Sequence, residues 1–126
     1  MKNYHKYYKL KAKPDEVYNA LVKPFAIELW TGEKAEMNEV VGSLFSIFGG
    51  DITGQNIEFV PNEKLVQEWF FGEVEKDSIV TLTLHASGST TNVELMHQNI
   101  PDEAFDDIKY GWDHYYFGGL RDFFHH

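Results

Sequence analysis

His97 is the residue best placed to do chemistry. The run Val93-Glu94-Leu95-Met96-His97 alternates apolar and polar residues, so a strand would put Val93, Leu95 and His97 on one face. An imidazole on an apolar face can orient a polar ligand atom or act as a general base. It can equally be a core or rim histidine whose nitrogens are satisfied by neighbours. Glu68 is the second candidate. It lies between Gln67 and Trp69 in a hydrophobic run, and turned inward its pKa would rise enough for it to serve as an acid. It shares a parity with Val66 and Phe70, which leaves its direction open, an outward carboxylate being the other reading. No second carboxylate is recognisably placed beside it to complete an acid–base pair.

Other catalytic patterns are missing. The six histidines are scattered without a close ligand spacing, and there is no cysteine to complete a zinc set or form a disulfide. No metal or cofactor is expected. His85 and His114 read as exposed. Gly49-Gly50-Asp51-Ile52-Thr53-Gly54 lacks the Gly-Lys-Ser/Thr ending of a phosphate loop, and reads as a Gly-Gly turn followed by a glycine at a strand bend. No Gly-x-Ser-x-Gly elbow is present. The pattern therefore favours binding over catalysis.

The formal charge is −9, and the few lysines and arginines are scattered, so the chain offers no basic patch for nucleic acid or anionic lipid. That balance permits a basic protein partner. The first six residues contain no apolar stretch of the kind a secretory leader needs, and no apolar run approaches the roughly 18 residues of a membrane span. With no cysteine, a cytoplasmic location is the expectation. His125 and His126, native or a purification-tag remnant, carry no functional reading.

The elements that must position these residues follow from periodicity. Residues 101–124 read as one long helix, with Phe105, Ile108, Trp112, Tyr115, Tyr116, Leu120 and Phe123 recurring at intervals of three and four on one face. Asp102, Glu103, Asp106 and Asp107 crowd its start, where acids suit the helix dipole; a docking patch for a basic partner is the sharper alternative. Pro14 starts a short helix, with Val17, Ala20 and Leu21 on its apolar face, and Pro24 ends it. A second short helix runs over 25–30. Strands are expected at 4–10, 35–40, 44–48, 52–59, 65–71, 79–86 and 92–99, separated by short turns that include 75–77. Val80, Leu82 and Leu84 form one face of their strand. Successive hairpins make an antiparallel meander with one packed face. The expected fold class is α+β of the helix-grip type, a curved antiparallel sheet wrapped around the C-terminal helix, in a single domain over 1–126. Aromatics make up 16% of the chain, and a core of few, large pieces readily leaves a pocket, although it can also fill itself.

The C-terminal segment Gly111-Trp112-Asp113-His114-Tyr115-Tyr116-Phe117-Gly118-Gly119-Leu120 resembles the ending of activators of the heat-shock-protein-90 ATPase, in particular their C-terminal domain. Gly54-Gln55, Val60-Pro61-Asn62-Glu63-Lys64-Leu65-Val66 and Trp69 are similar to that family's glycine, Val-Pro and strand-Trp pattern. Ile79 to Leu84 resembles its penultimate strand, and Asn99-Ile100-Pro101 the approach to its helix. The resemblance covers essentially the whole chain and implies a START-like, Bet v 1-like fold, a superfamily that mostly binds apolar small molecules in the cavity and includes some enzymes. The family's eukaryotic co-chaperones carry a separate N-terminal domain with major chaperone contacts. These 126 residues have no counterpart, so any docking would use the retained domain.

The expected function is non-catalytic binding of an apolar small molecule between helix and sheet. The candidate ligand-binding residues are Trp30, Phe48, Trp69, Val93, His97, Trp112 and Tyr116. Aromatics would supply contact area, and His97 or the Tyr116 hydroxyl would orient a polar end. The alternative is a module that docks on a heat-shock chaperone. A third, an enzyme of the same fold, would need His97 or Glu68 in the cavity. A dimer through an exposed strand edge is also compatible with the pattern.

Overall fold

A computed structural model describes residues 1–72 and 77–125. Strand β1 (Lys2–Leu10) leads into helices α1 (Pro14–Val22) and α2 (Pro24–Thr31). Both helices begin at a proline, which needs no N–H there, and the Glu16 carboxylate accepts the Lys13 N–H at 3.1 Å to close the first turn of α1. Strands β2 (Leu44–Ile47), β3 (Ile52–Val60), β4 (Lys64–Trp69), β5 (Ile79–Ser87) and β6 (Thr90–Ile100) follow as a meander. The sheet order is β1-β6-β5-β4-β3-β2, with every pairing antiparallel. The C-terminal helix then crosses the packed face. This is the α+β helix-grip arrangement expected from the hydrophobic periodicity.

The inward face follows strict alternation. Leu65, Gln67 and Trp69 of β4, Val80, Leu82 and Leu84 of β5, and Val93, Leu95 and His97 of β6 are all buried. Glu68 consequently points outward, where its carboxylate accepts the Asp77 N–H at 3.1 Å. At Gly54 a Cβ would sit 2.0 Å from the Glu68 carbonyl oxygen and 2.7 Å from the Phe45 ring. The glycine lets β3 bend tightly against its neighbours, ahead of a register shift between Asn56 and Glu58.

Two expectations need correction. The strand at 35–40 does not form: only Glu36 bridges to Ser46. The chain instead drops Met37 into the core and turns at Val40–Ser43, with Gly42 at φ 89° and Ser43 N–H on the Val40 carbonyl. Val40 and Val41 are left in solvent. Nor is the C-terminal helix uniform. A short 3₁₀ turn at Asp102–Ala104 leads into α3 (Phe105–Gly111), a π-helical turn (Trp112–Tyr116) and α4 (Phe117–Phe123). The Phe117 N–H bonds the Trp112 carbonyl, five residues back. One extra residue per turn shifts the stripe, so Phe117 and Phe124 are buried while Tyr115 is 62% exposed. Of the expected 75–77 turn, residues 75 and 76 lie outside the described residues; Asp77 has φ 63°.

Candidate functional site: an aromatic cleft between helix and sheet

Trp112 anchors the helix to the sheet. Its indole stacks on Trp69 of β4 with centroids 4.7 Å apart, and its N–H donates to His97 Nδ1 at 3.0 Å. An indole N–H can only donate, so Nδ1 is an acceptor and the proton sits on Nε2. Nε2 in turn donates to the Ser78 hydroxyl at 2.9 Å. His97 is 0% exposed, and burial lowers its pKa to about 3, which keeps the ring neutral. Both nitrogens are therefore committed to the scaffold. A second chain of buried polar groups fixes Trp69. Its indole N–H donates to Gln67 Oε1 at 3.1 Å, Gln67 Nε2 donates to Asn56 Oδ1 at 2.9 Å, and Asn56 Nδ2 reaches Ser43 Oγ at 3.1 Å. Gln67 shares the parity of Leu65 and Trp69, and that alternation is the signal by which its burial could have been read.

The wide turn is tied down from its other side. Asp113 accepts bonds from the Tyr8 hydroxyl at 2.5 Å and from Lys6 Nζ at 2.9 Å, while the Tyr8 ring stacks on Phe117 with centroids 3.9 Å apart. Burial alone would push the Asp113 carboxyl up, but the bonds from Tyr8 and Lys6 outweigh it and hold the group below its usual value. Arg121 returns to the Asp113 carbonyl at 2.9 Å. Trp30 supports the opposite flank: its N–H donates to the Ala20 carbonyl at 2.7 Å, and its ring meets Tyr116 edge-on at 4.9 Å.

These supports leave a cleft of about 360 Å³ between the C-terminal helix and the start of the sheet. Phe48, Trp69, Trp112 and Tyr116 line it, joined by Ile52, Ile108 and Tyr115. Trp30, Val93 and His97 do not reach its surface: Trp30 packs on Phe48 and Tyr116, His97 packs on Trp69 and Trp112, and Val93 is buried in the core. Phe48 is held at φ 54°, in the left-handed region that a bulky side chain avoids, as the chain turns through Gly49 and Gly50 into β3. Gly111 leaves the helix side open, since a Cβ there would meet nothing within 4 Å. Tyr116 is 4% exposed, and its hydroxyl has no partner among the described residues. Among the described residues no enclosed side-chain polar atom lacks a partner, so this hydroxyl is not sealed off, and Tyr116 lines the cleft. Burial pushes its pKa up, and it stays a neutral hydrogen-bonding group. The floor is aromatic and carries one hydroxyl.

Comparison with known proteins agrees with this architecture. The family model described as Activator of Hsp90 ATPase homolog 1-like protein matches residues 11–125. A 90-kDa heat-shock-protein ATPase activator homologue from Dictyostelium discoideum is 31% identical over 102 residues, covering 79% of this chain and 27% of its own length. Homologue 1 from Homo sapiens is 25% identical, covering 88% of this chain and 33% of its own. The chain thus spans a third or less of these curated relatives. Among solved structures, an HSP90 activator from Plasmodium falciparum superposes with a TM-score of 0.87 at 25% identity, covering 96% of this chain and 94% of that one. No helix among the described residues is long and apolar enough to cross a membrane. On the match across residues 11–125 and the shared helix-grip architecture, this chain belongs to the Activator of Hsp90 ATPase homolog 1-like family.

Proposed function

We propose that this protein is a non-catalytic START-like binding domain that holds an apolar small molecule between its C-terminal helix and its sheet. The observation that carries the reading is the cleft of about 360 Å³, whose size and aromatic lining fall in the range of small-molecule sites. Phe48, Trp69, Trp112 and Tyr116 supply contact area, and the Tyr116 hydroxyl is the polar handle within it. Trp30 and His97 act from behind, by holding the ring walls in place, and Val93 fills the core. The test is to fill the cleft from the helix side. A leucine in Gly111→Leu projects into open space at a helical backbone position, so the fold is retained. Wild-type protein should enhance the fluorescence of the neutral dye Nile red, and Gly111→Leu should abolish the enhancement with an unchanged melting temperature. Equal dye binding by both would exclude this cleft as the ligand site.

A second reading, docking on a 90-kDa heat-shock chaperone, is favoured by the Plasmodium falciparum structure, an HSP90 activator matched along 94% of its length. It predicts that saturating amounts of this protein raise the chaperone's ATPase rate. An unchanged rate, with no complex on sedimentation, would exclude it.

A further inference from the structure

Three carboxylates stand at the mouth of the cleft. Glu33 comes from the segment after α2, Asp51 from the turn before β3, and Asp107 from α3. Among the described residues no lysine, arginine or histidine lines the same space. Among the described residues none of the three is in an ion pair, whereas Glu39, Glu58 and Asp113 each have a lysine partner. Carboxylates that face one space favour a cation there over an anion.

The floor points the same way independently. Aromatic faces carry a negative quadrupole that attracts cations and repels anions. Tyr116, 4% exposed, lines the cleft, and its hydroxyl, with no partner among the described residues, can accept from a ligand N–H. The mouth and the floor therefore select for one sign of charge, and the apolar side chains of Ile52 and Ile108 leave room for a hydrocarbon body.

We propose that the ligand of this cleft is an organic cation, a small apolar body ending in an ammonium group. The body lies against the rings of Phe48 and Tyr115, the ammonium sits beneath Glu33, Asp51 and Asp107, and an N–H donates to the Tyr116 hydroxyl. This rests on the cleft being the ligand site. A series of matched size separates the two ideas: 2-phenylethylammonium, neutral 2-phenylethanol and anionic phenylacetate, each titrated while the indole N–H signals of Trp69 and Trp112 are followed by NMR. The ammonium should bind about tenfold more tightly than the alcohol. That preference should shrink in high salt, and phenylacetate should leave the signals unmoved. The combined variant Glu33→Gln, Asp51→Asn, Asp107→Asn should bring the ammonium down to the alcohol's affinity without weakening the alcohol. If the alcohol binds and the ammonium binds no better, the charge selectivity is overturned and the cleft reading stands. If none of the three moves the indole signals, the cleft reading falls as well.

Discussion

Mild acid should destabilise this protein through one buried ring. Below its ordinary pKa of 6.5 the His97 imidazole takes up a proton in the unfolded chain, whereas in the folded protein it stays neutral down to about 3. The unfolded state then binds more protons, so the stability present above pH 6.5 is lost as pH falls toward 3. Between pH 8 and pH 5 the loss from this residue comes to roughly 2 kcal/mol, and by pH 3 to roughly 4. The pH 5 figure hardly depends on the folded value, because any folded pKa below about 4 gives the same result. That is a large share of the roughly 5–15 kcal/mol that holds a domain folded. The assay is urea unfolding followed by tryptophan fluorescence, comparing wild type with His97→Gln, whose amide can still accept from Trp112 and donate to Ser78. The variant should be less stable at pH 8 yet lose about 2 kcal/mol less than wild type on going to pH 5. Nitrogen chemical shifts should also show a neutral ring with the proton on Nε2 at pH 5. If wild type and variant lose stability in parallel, or His97 titrates near 6.5 in the folded protein, the argument from burial is wrong.

Other outcomes can be stated more briefly. Trp112→Ala should cost about 3–5 kcal/mol in chemical denaturation, since it removes the ring stacked on Trp69 and opens a core cavity. Trp112→Phe should cost less and raise the pKa of His97, whose Nδ1 loses its donor. Gly118→Ala and Gly119→Ala should move the melting temperature in opposite directions. At Gly118 a Cβ makes only ordinary contact at 3.4 Å, and the better helix former should add about 0.5–1 kcal/mol. At Gly119 it would sit 2.8 Å from the Trp30 carbonyl oxygen, and overpacking should cost about 1–3 kcal/mol. Gln67→Leu should cost about 1–3 kcal/mol for each partner it strands, the Trp69 N–H and the Asn56 carbonyl, and shift the tryptophan emission.

What the chain reveals in advance depends on how local the signal is. The parity of β5 and β6 was legible because alternation needs only a few neighbours, and it placed Val93, Leu95 and His97 correctly inside. The two proline-led helices were legible for the same reason. The lost strand at 35–40 was not: its apolar residues Met37 and Val40 look alike in sequence, and only the bridge from Glu36 to Ser46 decides which is buried. Tyr115 was misread, and Phe117 left out of the apolar stripe, because helical periodicity assumes a constant pitch. The mouth of the cleft was in reach only at Asp107, one of the acids read at the start of the C-terminal helix. Glu33, Asp51 and Asp107 come from three elements spread along the chain, and the fold alone gathers them. His97 was the right residue to single out, but which atoms would satisfy it depended on Ser78 and Trp112 arriving from other elements.

The π-helical turn also bears on how sequences of this family should be compared. A π turn is an α-helix with one residue added, so a relative whose helix runs at constant pitch would be one codon shorter there. Upstream of Trp112 the two chains would align without a gap; downstream, the residue equivalent to Leu120 would carry the preceding number in the shorter chain. An alignment forced through without that gap would pair Phe117 and Tyr116 each with the position of its neighbour. At identities near 25% such a slip costs little in score, yet it would misassign the ring that carries the cleft's hydroxyl. Gap placement within residues 112–116 is therefore a chemical decision about which members of the family possess that hydroxyl.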